Sequence, residues 1–131
     1  MKIKFFLSAL AVLSVISATS CKKGPGDGGQ TSITGKVFVE RYIGNYHDSI
    51  NDHWATEQDV YIIYGNDISY GNRTRTGPDG LFEFRYLRAG NYTVYVYSDS
   101  TGVLKKSLSK NVDIPDKGIF DCGTFTIKKI N

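Results

Sequence analysis

Apolar and polar residues alternate with a period of two along most of this chain, and that alternation constrains its fold more than any other feature. In the clearest run, 92–97, Tyr92, Val94 and Val96 share one parity. A period of two places alternate side chains on opposite faces of a β-strand. Because no stretch of a dozen residues keeps a helical stripe, the sequence predicts an all-β fold.

Turn signals such as Gly77-Pro78-Asp79-Gly80 and Ala89-Gly90-Asn91 separate the alternating runs. We expect seven strands, at about 32–40, 58–64, 69–76, 81–87, 91–99, 106–114 and 121–129. Strands of this number and length favour a two-sheet β-sandwich with one buried face per sheet. The predicted core consists of Ile33, Val37, Val39, Val60, Ile62, Phe82, Phe84, Leu87, Tyr92, Val94, Val96, Val112, Ile114, Phe125 and Ile127.

The first twenty-one residues have the pattern of an export signal that ends in a cysteine. Lys2 and Lys4 give a basic start, an apolar run follows at 5–18, and small residues lead directly to Cys21. This order is typical of a secretory signal peptide, and the run is too short to cross a bilayer as a helix, which takes roughly 20 residues. It resembles the lipobox of bacterial lipoproteins, which implies a signal peptide at 1–20 and lipid attachment to Cys21. The alternative is a plain secretory signal with an incidental cysteine.

The segment behind the cysteine, 22–31, reads KKGPGDGGQT and is rich in glycine. Glycine-rich segments behave as flexible coils. We therefore expect residues 21–31 to comprise the lipidated cysteine and a short flexible tether, followed by one domain at 32–131. The membrane is then a partner through the lipid anchor.

Charge and cysteine content narrow the possible partners and chemistry. The net charge is +3, but without Lys2 and Lys4 the basic count falls from 16 to 14 against 13 acidic residues. The mature chain is thus nearly neutral, and we expect no nucleic-acid partner.

A lipidated Cys21 cannot form a disulfide, so Cys122 is a lone thiol. We interpret it as a small, partly buried strand residue rather than a nucleophile or redox site.

Four segments of the domain carry a resemblance to a known family. Ile33-Thr34-Gly35-Lys36-Val37 opens the domain and Asp59-Val60-Tyr61-Ile62 follows; residues 76–84 then read TGPDGLFEF, and residues 87–94 read LRAGNYTV. This order resembles the carboxypeptidase regulatory-like, prealbumin-like (transthyretin-like) domains, which are related to the collagen-adhesin B repeats. Those domains carry a T-x-x-D-G-x-F-x-F hairpin followed by L-x-x-G-x-Y-x-V. The resemblance implies a seven-stranded prealbumin-like β-sandwich.

A long insertion, Arg41 to Thr56, stands where related domains have a short turn. It carries Tyr46 and Trp54, and both histidines of the chain, His47 and His53, with Asp48 and Asp52 between them. Two imidazoles and two carboxylates could bind a divalent metal ion such as Zn²⁺. A solvated polar loop and an aromatic binding patch are the alternatives.

Tyrosine is abundant, with nine in the chain. Tyr61, Tyr95 and Tyr97 have the parity opposite to the core, so we expect them on an outer sheet face. Together with Tyr46 and Trp54 they are the candidate ligand-binding residues, because exposed aromatic rings stack on sugars or pack on a protein partner. The alternative is that cross-strand tyrosine pairs simply stabilise the sheet.

Signals of catalysis are missing from the sequence. It contains no G-x-S-x-G, no H-E-x-x-H and no glycine-rich phosphate loop. Hydroxyisourate hydrolase, an enzyme with a transthyretin-like fold, ends in Y-R-G-S, whereas this chain ends in Lys128-Lys129-Ile130-Asn131. We expect no enzyme activity and no cofactor.

The most favoured function is therefore a non-catalytic, membrane-anchored lipoprotein with an interaction or adaptor domain. The alternatives are a carbohydrate-binding accessory protein and a metal site in the 41–56 insertion, so the expected partner is a protein or a glycan. Lipoproteins of this domain type resemble those of Bacteroidota, in which an acidic cluster behind the cysteine commonly accompanies surface export. Residues 22–27 lack such a cluster, which favours the bacterial cell envelope, on the periplasmic side of the outer membrane.

The anchor can be tested by replacing the cysteine. We expect Cys21→Ala to move the protein from the detergent phase to the aqueous phase in detergent partitioning, because lipidation requires the thiol. A Cys122→Ala variant is the matched control and should partition like the wild type. Equal partitioning of wild type and Cys21→Ala would show that the anchor is wrong.

Overall fold

The computed structural model describes residues 24–131. The predicted signal peptide, 1–20, and the predicted lipid-attachment residue, Cys21, lie outside the described residues. No helix in this part of the chain has the length and hydropathy that a membrane crossing requires.

Nine strands and one short 3-10 turn (Ser49–Asn51) make up the described chain, which confirms the all-β prediction. The seven predicted strands are all present, and two further strands of two residues each lie in the insertion, so the predicted count of seven is corrected to nine. The strands are β1 (Asp27–Ile43), β2 (Tyr46–His47), β3 (His53–Trp54), β4 (Asp59–Tyr64), β5 (Asn72–Arg75), β6 (Leu81–Leu87), β7 (Gly90–Asp99), β8 (Lys105–Ile114) and β9 (Lys117–Ile130).

The strands form two sheets that pack face to face. Sheet A is built around β1: β9 lies parallel along one edge, and β6, β3 and β2 are antiparallel along the other. Sheet B is antiparallel with the order β5-β4-β7-β8. Each sheet turns one face inward, which is the arrangement that period-two alternation requires.

The core lies between the two sheets and confirms the predicted set. Every predicted core residue is buried, and Ala55 of the insertion joins them. In β6, both Phe84 and Leu87 point inward although their parities differ, because an extra residue forms a bulge at Tyr86, whose φ is 60°. A second bulge, at Gly123 of β9, likewise shifts which residues point inward, so that odd-numbered residues such as Phe125 face the core after it.

The predicted tether is wrong at its C-terminal end, because the chain is held on the domain from Gly24 onward. The Gly26 N–H donates to the hydroxyl of Tyr92 (2.7 Å), and that buried hydroxyl donates to the carbonyl of Arg88 (2.7 Å). The Arg88 side chain in turn donates to the carbonyls of Gly24 (2.6 Å) and Asp27. These bonds overcome the flexibility that the glycine content predicted, and β1 begins at Asp27 rather than at 32.

The insertion is also more ordered than a solvated loop. The Ala55 N–H donates to the carbonyl of Val37 (2.9 Å), and the Ala55 carbonyl accepts from the Thr76 hydroxyl (2.7 Å). The Trp54 ring packs edge-on against Phe38, with 5.2 Å between the ring centroids. The end of the insertion therefore belongs to the sandwich.

The strand register of β6 can be tested by comparing two neighbours. Phe84 is buried and packs against the Phe82 ring, whereas Glu83 points outward and pairs with Arg85. We expect Phe84→Ala to lower the free energy of unfolding by about 3–5 kcal/mol, the usual range for a core phenylalanine. Glu83→Ala should change it by less than about 1 kcal/mol, because exposed ion pairs contribute little. Equal urea midpoints for the two variants would show that the register is off by one.

Candidate functional site

Four tyrosines cluster on the outer face of sheet B, and we call them the tyrosine face: Tyr61, Tyr70, Tyr95 and Tyr97. Tyr61 on β4 lies directly opposite Tyr95 on β7. The neighbouring residues in both strands are buried in the core, so the pleat turns these rings to solvent. The structure thus brings together Tyr61, Tyr95 and Tyr97 as the sequence predicted.

The rings of the tyrosine face contact one another. Tyr61 and Tyr95 are stacked, with 5.0 Å between the ring centroids and 12° between the planes. Tyr97 meets both rings edge-on at 5.7 Å, and Tyr70 meets Tyr61 edge-on at 5.0 Å. Tyr97 and Tyr70 remain 43% and 48% exposed. The stacked pair stabilises the sheet, while the two outer rings offer aromatic surface to a ligand.

Hydroxyl groups border the tyrosine face on its β8 side. A shallow depression of about 290 Å³ is lined by Ile63, Thr93, Tyr95, Tyr97, Ser107 and Ser109. Burial raises the pKa of Tyr95, and the adjacent Tyr97 phenol raises it further. The Tyr95 phenol is therefore neutral at physiological pH and can both donate and accept hydrogen bonds.

Tyr70 is the member that sequence reasoning missed. It falls within the strand predicted at 69–76, but the observed β5 begins only at Asn72, so Tyr70 lies in the connection before it and strand parity does not place its ring. Only the packing of that connection across Tyr61 brings its ring to the cluster.

The other two predicted aromatic residues lie on the opposite sheet. Trp54 on β3 covers Phe38, and the ammonium group of Lys36 stands 4.9 Å from the centroid of its ring. Tyr46 on β2 is 71% exposed at the end of the insertion. Trp54 and Tyr46 therefore do not share one platform with the tyrosine face.

The two histidines make separate contacts within the insertion. His47 Nε2 lies 2.9 Å from a carboxylate oxygen of Asp52, and His53 Nδ1 lies 2.8 Å from the carbonyl of Asn51. A hydrogen bond from the backbone N–H of Arg41 lowers the pKa of Asp52, and His47 lowers it further. Within residues 24–131, no three His, Cys, Asp or Glu side chains gather into a group that could hold a metal ion.

Cys122 is half-buried on β9 and packs against the core. Burial raises the pKa of its thiol, although the nearby Lys110 ammonium acts in the opposite direction. A thiol with a raised pKa is a poor nucleophile at neutral pH, because the thiolate is the reactive form.

No model of a known protein family matches the chain, and no curated protein matches it either. A solved structure from Pseudomonas aeruginosa, described as a "putative carbohydrate binding protein", is similar with a TM-score of 0.46 and 11% sequence identity. The match covers 79% of this chain and 91% of that one. A likeness at this level does not indicate a ligand for this chain. The resemblances to bacterial lipoproteins and to prealbumin-like domains remain predictions.

Proposed function

We propose that this protein is a non-catalytic, membrane-anchored binding module, and that the tyrosine face holds its partner. The observation that carries the proposal is the cluster itself, in which the Tyr70 and Tyr97 rings stay exposed on a regular four-stranded sheet. Tyrosine is enriched at interfaces because its ring contributes apolar area and its hydroxyl a polar contact. Rings already held by their neighbours lose little conformational entropy when a partner binds.

The proposed anchor is supported by the apolar run at 5–18 that ends at Cys21. Because Arg88 holds Gly24 on the domain, only three residue steps separate the cysteine from the sandwich. Three steps reach at most about 11 Å, so the domain would lie close against the membrane. Because residues 22–27 lack the acidic cluster that commonly accompanies surface export, we place the domain on the periplasmic side of the outer membrane rather than on the cell surface.

The proposed lack of catalysis is supported by the contacts of the nucleophile and base candidates. Cys122 has a raised pKa, and both histidines make their hydrogen bonds inside the insertion. Nucleophilic catalysis requires a base within hydrogen-bond distance of a serine or cysteine, and neither histidine makes such a contact here.

Carbohydrate is the second candidate ligand, and the depression beside Tyr97 favours it. A sugar ring has apolar C–H faces that stack on aromatic rings and hydroxyl edges that need hydrogen-bond partners. The depression supplies such partners through Thr93, Ser107 and Ser109, next to the exposed Tyr97 ring.

A protein partner can be detected by photo-crosslinking in cells. We expect a photoreactive phenylalanine at position 97 to give a discrete, larger adduct on irradiation, because Tyr97 is one of the two exposed rings of the proposed surface. The same group in place of Tyr46 is the matched control, since that ring is also exposed but lies on the other sheet. Equal adducts at both positions, or none at position 97, would contradict a protein partner on this face.

A glycan can be detected by electrophoresis in native gels that contain a neutral polysaccharide. We expect wild type to be retarded, Tyr97→Ala to lose at least about tenfold in affinity, which corresponds to roughly 1.4 kcal/mol, and Tyr46→Ala to behave like wild type. If several neutral glucans and mannans leave the wild-type mobility unchanged, the carbohydrate candidate is wrong.

A further inference from the structure

The two long sides of the sandwich differ in whether the backbone groups of their edge strands have hydrogen-bond partners. On one side, the Lys110 ammonium of β8 donates to the carbonyls of Cys122 (3.0 Å) and Thr124 (3.1 Å) on β9. The N–H of Lys128 on β9 also donates to the hydroxyl of Ser98 on β7 (2.8 Å). Side chains of sheet B therefore satisfy part of the free edge of β9 and close this side.

The other side is open between β5 and β6, and we call this gap the open seam. Within residues 24–131, β5 pairs only with β4, and β6 pairs only with β1. A groove of about 680 Å³ runs between them, lined by Asp27 and residues 72–75 and 81–86. Edge strands left in this way present unpaired backbone groups.

The register identifies the unpaired groups of β6. The Val37 N–H donates to the Gly80 carbonyl (2.9 Å), and hydrogen-bonded pairs alternate along an antiparallel ladder. Phe82 and Phe84 therefore direct their backbone groups toward β1, whereas Glu83 directs its N–H and C=O into the open seam. Arg85, two residues further on, does the same.

The same alternation applies to β5. The Thr76 N–H donates to the Gln58 carbonyl (3.0 Å), and Thr74 lies opposite Val60. Residues of this parity bond to β4, so Arg73 and Arg75 direct their backbone groups toward the open seam. The Arg73 N–H is taken by the Asn72 side-chain oxygen (2.8 Å), so the β5 border of the groove offers fewer free donors than the β6 border.

The side chains that line the open seam carry more positive than negative charge. Arg73, Arg75 and Arg85 face two carboxylates of the lining, Asp27 and Glu83. Arg85 bonds to Glu83 at 3.0 Å, and Arg75 bonds to Asp59, outside the lining, at 3.1 Å. The side chains of Arg75 and Arg85 are nevertheless 61% and 65% exposed. Exposed ion pairs contribute little, so these guanidinium groups are available to carboxylates of a ligand.

We propose that the open seam binds an extended, acidic segment of a protein partner, which adds to the β6 edge as a further strand. Such β-strand addition draws affinity from main-chain hydrogen bonds and specificity from side chains. The site has defined ends: the N–H of Leu81 donates to the Asp79 carboxylate in the turn, and the Tyr86 bulge stops regular pairing after Arg85. The open seam borders the tyrosine face, because Arg73 lies opposite Tyr61, but its lining contains none of the four tyrosines.

The probe is a fluorescent seven-residue peptide of alternating glutamate and valine, titrated against the full-length protein in detergent and followed by fluorescence anisotropy. We expect it to bind at least tenfold more tightly than the same peptide with lysine in place of glutamate. Methylation of alternate peptide nitrogens should weaken binding at least tenfold, because it removes backbone donors and keeps every side chain. No binding of the acidic peptide, or equal binding of the methylated one, overturns the proposal.

Two substitutions at one position test the role of the β6 backbone. Glu83→Pro removes an N–H that faces the open seam and leaves the bonds to β1, so we expect it to weaken binding at least tenfold. Glu83→Ala keeps the N–H and should bind at least as well as wild type. Equal loss in both variants overturns strand addition. If Glu83→Pro has lost its cooperative melt, the methylated peptide on wild type decides alone.

A second copy of the chain is the alternative occupant of the open seam, and analytical ultracentrifugation tests for it. We expect wild type and Glu83→Pro to sediment as the same species in the absence of peptide. A wild-type dimer that Glu83→Pro splits would show that two β6 edges pair with each other, and it would overturn the proposal.

Discussion

Pairing along both edges of β1 is the constraint on which the rest of this structure depends. β9 follows one edge from Gln30 to Tyr42, and β6, β3 and β2 succeed one another along the other. Ile33, Val37 and Val39 meanwhile point into the core. A slip of one residue would turn these side chains to solvent, so the hydrophobic pattern and the ladders hold sheet A in a single register.

The tyrosine face follows from the core on the other sheet. Because Val60, Ile62, Val94 and Val96 are fully buried, the residues between them must point outward. The register of β4 and β7 then sets Tyr61 beside Tyr95. The candidate site is therefore built on a rigid sheet rather than on a loop, which suits a surface that binds without rearranging.

The tyrosine face and the open seam offer different chemistry on one scaffold. The first presents aromatic rings and hydroxyls, and the second presents free backbone groups beside arginines. Lys110 and Ser98 bond to backbone groups of β9 on the opposite side. Within the described residues, the open seam is therefore the proposed place for an added strand. A module with two such surfaces could hold two partners at once.

Alternation by itself determined the fold class, the existence of seven of the strands, most of the buried core and the outward position of Tyr61, Tyr95 and Tyr97, because these depend on parity within one strand. Tertiary structure decided what parity does not encode. Gly26 is held by Tyr92 across 66 residues of sequence, so a glycine-rich segment became part of the fold. Ala55 and Tyr70 likewise owe their positions to contacts with distant strands, which become favourable only once the sheets have packed.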